Sequence, residues 1–355
     1  MRLLTEWFKR YFSDPQVIFL AVLLVGGFAV VLTMGDMLAP VLASIVIAYL
    51  LEGIVAKLER GSMPRLLAVL LVFVAFLVFV TLLLFGIMPQ LSRQATQLFQ
   101  QIPSMITKGQ DLLMQLPQHY PEIVSPDQVQ ALFTVIHQEI AELGQRVLSV
   151  SFSSVVGFIT VMVYLILMPL LVFFFLKDKR LIVDWVIRFL PSERRLAKTV
   201  WRDMDRQIAN YVRGKFLEII IIWVVSSITF TLMGLQYAAL LGMLVGLSVI
   251  IPYIGAAVVT FPVLLIAWFQ WGWTADFAWL TFAYFVIQIL DGNVLVPLLF
   301  SEAVNLHPVA IIVAILVFGG LWGFWGVFFA IPLATLVQAV ITAWPHTKGE
   351  EPEAA

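Results

Sequence analysis

Four nearly uninterrupted apolar runs dominate the chain: Val17–Thr33, Leu66–Met88, Phe152–Leu176 and Phe216–Met233. Each approaches the roughly 20 residues that an α-helix needs to cross a hydrocarbon layer. Hydrophobic residues make up 61% of the sequence and charged ones 12%, with a mean hydropathy of +0.99. A water-soluble fold of 355 residues keeps a polar coat that this composition cannot supply. Lipid must therefore be the solvent for most of the surface. The pattern predicts an all-α polytopic membrane protein.

Several function classes drop out on composition. A net charge of −1 offers no basic face for nucleic acid. There is no cysteine, so thiolate metal sites, disulfides and cysteine nucleophiles are excluded. The four histidines (His119, His137, His307 and His346) are too scattered to form a metal motif. Neither G-x-x-x-x-G-K-[ST] nor H-E-x-x-H occurs. No cofactor is expected, and the chain does not read as an enzyme.

Charge then orients the spans. Arg2, Lys9 and Arg10 precede the first run, which lacks an A-x-A cleavage pattern and reads as a retained span. A shorter run, Leu38–Leu51, follows the breakers Gly35, Asp36 and Pro40. Lys57, Arg60 and Arg65 lie beyond it, and eleven Lys/Arg fall between Lys177 and Lys215. The positive-inside rule assigns both basic stretches to the cytoplasm. That reading makes Val17–Thr33 and Leu38–Leu51 separate crossings, joined by a tight outer turn at Met34–Met37. Eight membrane segments with both termini cytoplasmic follow.

The expected organisation is three membrane segments in 1–88, an extracytoplasmic helical region in 89–150 and a fourth segment in 151–176. A basic cytoplasmic helical loop occupies 177–215, with Pro191-Ser192-Glu193 as helix start. The C-terminal membrane half spans 216–345, and a cytoplasmic tail spans 346–355. In 89–150, Leu132, Ile136, Ile140, Leu143 and Val147 recur at helical spacing, which points to an amphipathic helix.

The C-terminal half carries the functional signal. From Phe216 to Thr347 there is no Lys or Arg, while Glu218, Asp276, Asp291 and Glu302 are acidic. Glu218 follows Lys215 closely at a membrane edge, where an interfacial ion pair is expected. Two equally long segments resemble each other, Tyr237–Pro262 and His307–Pro332. The first is interrupted at Pro252-Tyr253-Ile254-Gly255. The second is interrupted at Gly319-Gly320 through Gly323 and Gly326, and it ends at Pro332. Paired broken membrane helices expose backbone groups that can hold a polar solute. Between them lie Asp291, Asn293, Pro297, Glu302 and Asn305, and His307 opens the second. Ionisable groups in a bilayer are costly and point to function. Here they predict a proton- or cation-handling cluster, with a helix break near Pro297.

FFFLKDKR (Phe173–Arg180), YVRGK (Tyr211–Lys215), IIPYIG (Ile250–Gly255), GNVLVP (Gly292–Pro297), NLHP (Asn305–Pro308) and GGLWGFWGVFFAIPLA (Gly319–Ala334) occur in that order. Together they resemble the autoinducer-2 exporter family, in its PerM-like permease branch. The resemblance implies seven or eight helices, a homo-oligomer (a pentamer in some members) and transport of a small molecule or ion. Members are linked to export of a furanone-derived signal or to sodium- or lithium-proton antiport. A membrane scaffold for envelope proteins is the competing expectation.

Overall fold

The computed structural model describes residues 15–115, 155–188, 195–300 and 306–343, together with 127, 130, 131, 133–135, 138 and 142. Every regular element among the described residues is helical. The N-terminal part holds α1 (Pro15–Arg60) and α2 (Arg65–Leu82), which passes through a π-helical turn at Leu83–Ile87 into α3 (Met88–Leu113). Then come α4 (Val155–Lys177), α5 (Lys179–Arg188) and α6 (Arg195–Leu232). The C-terminal part holds α7 (Ala238–Ser248), α8 (Ile254–Trp271) and α9 (Ala275–Leu290). A second π-helical turn, Asp291–Leu295, joins α9 to α10 (Val296–Phe300), and α11 (Pro308–Phe328) and α12 (Ala330–Ala343) close the chain. Six described helices are long and apolar enough to cross a membrane, and three further apolar helices are shorter. The molecule is an all-α polytopic membrane protein.

The predicted turn at Met34–Met37 does not form. Helix α1 runs through it for 46 residues, about 69 Å at 1.5 Å per residue. Gly35, Asp36 and Pro40 would end a helix in water. In hydrocarbon, each peptide group left unpaired by a turn costs several kcal/mol, against about 1 kcal/mol for a helical glycine. Ser44 Oγ donates to the Pro40 carbonyl at 2.6 Å and lies 3.2 Å from the Met168 carbonyl, fastening this stretch to α4. The expectation of a cytoplasmic N-terminus rested on that turn. A single crossing by α1 would leave the N-terminus on the face opposite Arg60.

The two basic stretches meet in space. The Arg65 guanidinium donates to the Leu176 carbonyl at 2.7 Å and pairs with Glu52 at 3.3 Å and Glu59 at 3.1 Å. Lys179 pairs with Glu52 from the other side at 3.2 Å. The Arg60–Arg65 turn and the end of α4 therefore share one membrane face, as their charge requires. The boundary drawn at Lys215 is crossed without a break, because α6 carries the basic segment and the following span as one 38-residue helix. Within 89–150 the described helix is α3, which directly continues α2. Leu132, Ile136, Ile140, Leu143, Val147 and the Pro191–Glu193 cap lie outside the described residues.

Helices α6 and α7 form the tightest pair. A Cβ at Gly246 would stand 2.6 Å from Trp223 Cβ, and one at Gly242 would stand 2.7 Å from Ser227 N. These two glycines, four residues apart, let the backbones touch, as small residues do in membrane helix pairs. The main apolar core gathers here, with Phe230, Leu241, Val245, Val263, Leu280 and Tyr284 fully buried.

Candidate functional site

Both predicted interruptions are real, and both reverse the chain. Helix α7 ends at Ser248, and α8 starts again at Ile254 after Tyr253 adopts φ 64°. A Cβ at Gly255 would overlap the Ser248 carbonyl oxygen, so the two arms close to backbone contact. In α11 the kink falls at Gly323, with φ 58° and ψ −132°. That backbone region is essentially reserved for glycine. A Cβ at Gly326 would overlap the Phe318 carbonyl oxygen, and one at Gly319 would stand 2.8 Å from Val327 Cγ2. Gly320 and Gly323 face open space. The second interruption is thus a helical hairpin whose arms touch through Gly319 and Gly326. Pro332 is buried just past it, with its carbonyl accepting from Thr335 Oγ1 at 2.8 Å.

The two hairpins meet. Ile251, in the α7–α8 turn, packs into the cluster formed by Ala314, Ile315 and Ala330 of the second hairpin. Trp322, near the second hairpin's tip, packs on Phe28 of α1 at 4.5 Å. The residue before Pro252 therefore touches the arms of the second hairpin directly.

Lys215 and Glu218 of α6 contradict the expectation of an interfacial pair. They are only 4% and 2% exposed, so the pair is buried in the helix bundle. Lys215 Nζ lies 2.6 Å from Glu218 Oε2 and donates a 2.9 Å hydrogen bond to the Val249 carbonyl. It also stands 5.1 Å from the centre of the Phe300 ring. The break after Ser248 is the reason that carbonyl is available: the chain turns before an amide four residues on can reach it. Gly214 makes room, since a Cβ there would stand 3.2 Å from the Leu299 carbonyl. The backbone group freed by the first interruption is thus claimed by a lysine of the chain itself. Sequence reasoning missed this. The signal available was the i, i+3 spacing next to a stretch of chain devoid of other cations.

Asp291 interacts electrostatically with both Lys215 and Glu218, and its Oδ1 is buried without a hydrogen-bond partner among the described residues. The break predicted near Pro297 is absent. Ala275–Phe300 is continuous helix, widened into the π turn that starts at Asp291, and Pro297 is exposed on it. A π turn shifts the helix face, and such turns are frequent at functional sites. Asn293 Nδ2 donates to the Ile289 carbonyl at 2.9 Å within the same helix. His307 is exposed, and its Nδ1 accepts from the Val309 amide at 3.3 Å, so it caps α11. Glu302 and Asn305 lie outside the described residues.

A second polar device joins α9 to α8. Gln288 Nε2 donates to the Tyr284 hydroxyl at 2.7 Å, and that hydroxyl lies 2.8 Å from Thr260 Oγ1. Thr260 Oγ1 donates in turn to the Ala256 carbonyl at 2.7 Å. The order of donors runs from Gln288 to the first turn of α8, beside Gly255. Tyr284 is completely buried, while Thr260 and Gln288 on either side of it are half-buried.

Comparison with known proteins places this architecture. The family model described as AI-2E family transporter matches residues 17–346. The chain is 47% identical over 346 residues to the protein named "Putative permease PerM" of Escherichia coli (strain K12), covering 97% of this chain and 98% of that one. It is 28% identical over 306 residues to "Putative transport protein YrrI" of Bacillus subtilis (strain 168), covering 85% of each. A "Putative transport protein" of Haemophilus influenzae is 25% identical over 317 residues, covering 88% of each chain.

Proposed function

The chain belongs to the AI-2E transporter family, and on that premise we propose that it is a secondary transporter of a small polar solute in the bacterial inner membrane. Its path runs along the two broken hairpins, and Asp291, Glu218 and Lys215 couple the movement to a proton or cation gradient. The basic faces at Arg60–Arg65 and Lys177–Lys215 lie in the cytoplasm, and the C-terminus returns there through the second hairpin.

One observation carries this reading. The α7–α8 turn is held at two points by groups of different character. Its Val249 carbonyl is held by the buried Lys215–Glu218 pair, and its Ile251 side chain is wedged into the second hairpin. A change of charge at the pair alters the grip on Val249, and the turn passes that change to both hairpins. A scaffold has no use for an ion pair desolvated at such cost.

Dye-loaded proteoliposomes under an imposed pH gradient test the proposal. They would be challenged with alkali cations and a panel of small organic acids, sugars and amino acids. Wild-type protein is expected to move protons with at least one of these. Asp291→Asn and Glu218→Gln are expected to uncouple or stop that flux while inserting normally, and His307→Gln is expected to leave it intact. Unchanged flux in both carboxylate variants would overturn the coupling role.

A further inference from the structure

We propose that Lys215 Nζ is a built-in cation, occupying a site in which a monovalent metal ion would otherwise bind, and that removing the lysine creates an alkali-cation site. The surroundings of the ammonium group are those of a cation site. It faces a carboxylate oxygen at 2.6 Å, a main-chain carbonyl freed by a helix break at 2.9 Å, and an aromatic ring at 5.1 Å. The second carboxylate, Asp291, interacts with it electrostatically and presents a buried oxygen with no hydrogen-bond partner among the described residues.

Carboxylate and carbonyl oxygens are the hard donors that suit alkali and alkaline-earth ions rather than softer metals. A single positive charge is what the cluster holds now. No other Lys or Arg occurs from Phe216 to Thr347 to replace it. Divalent ions seek six or more oxygens, or keep much of their water, and fit this enclosed group less well. Lys215 is tethered to α6, so this cation cannot leave with the transported solute. The protein therefore needs no sodium or lithium at this position, and a coupling step here falls to proton movement. That consequence rests on the transport reading above, whereas the cation site itself does not.

The test uses purified full-length protein in lipid nanodiscs and reads thermal unfolding, not transport. Salts are LiCl, NaCl, KCl and choline chloride at one ionic strength, so that general screening is constant. Wild type is expected to unfold at the same temperature in all four. Lys215→Gln should unfold several degrees lower in choline and recover saturably with at least one alkali cation, because a ligand that binds only the folded state stabilises it. Lys215→Gln/Glu218→Gln should lose the response. The proposal is overturned if Lys215→Gln folds and unfolds identically in all four salts. It is equally overturned if wild type responds as the variant does. Failure of Lys215→Gln to fold in any salt, whether or not the double variant folds, would also sink it, since the cation would then not replace the lysine. Transport could still be coupled by Asp291 in any of these cases.

Discussion

Gly323 and Gly326 sit three residues apart in the second hairpin, and alanine at each should fail for a different reason. At Gly326 the added methyl would overlap the Phe318 carbonyl and stand 3.0 Å from the Gly319 amide nitrogen. Backbone cannot rotate away as a side chain can, so the arms must part by on the order of an ångström, a cost of about 1–3 kcal/mol or more. At Gly323 there is open space, but φ 58° and ψ −132° strain any other residue by about 1–3 kcal/mol. Stability alone will not separate the two variants. Contact between the arms will. Ala314 and Ala330 belong to one packed cluster across the hairpin, and the cysteine-free chain allows Ala314→Cys/Ala330→Cys to be oxidised without background. The pair should cross-link readily in the parent and with Gly323→Ala, and slowly or not at all with Gly326→Ala. Gly320→Ala has nothing within 4 Å and should match the parent in both respects. Cross-linking of Gly326→Ala at the parent rate would refute the close approach of the arms.

Two further outcomes follow from the packing. Lys215→Met, which strands Glu218 in an apolar bundle, should cost about 3–5 kcal/mol, whereas Lys215→Met/Glu218→Leu should restore most of it. Thermal unfolding in a single buffer checks this, and equal losses in the two variants would refute it. For topology, an impermeant thiol reagent applied from outside should label Ser125→Cys but not Arg195→Cys. Labelling of Leu3→Cys from outside is also expected, since α1 is one continuous helix. Protection of Leu3→Cys would mean that the chain doubles back after all.

The membrane class, the all-helical architecture and the sites of the two interruptions were legible in the residue pattern. Apolar length decides whether a helix can span, and IIPYIG and GGLWGFWG are stretches where proline or repeated glycine weakens the helix. The common side of the two basic stretches followed from charge and was met by Arg65 and Lys179 converging on Glu52. The turn at Met34–Met37 was misread because Gly, Asp and Pro break helices in water, and lipid reverses that preference by penalising every unpaired peptide group.

What only the tertiary structure decided is which polar groups face one another. Asp291 and His307 are near in sequence, yet the charge of one acts on Lys215 of α6 while the other caps its own helix. Lys215 and Glu218 at the edge of a span could as well have pointed into headgroups. They are buried because Gly214 admits α10, Gly242 and Gly246 admit α7, and the break after Ser248 presents a carbonyl within reach. Spacing along a helix states which residues share a face. Whether that face meets lipid, water or the freed backbone of another helix depends on how the helices pack, and no local pattern in the chain records it.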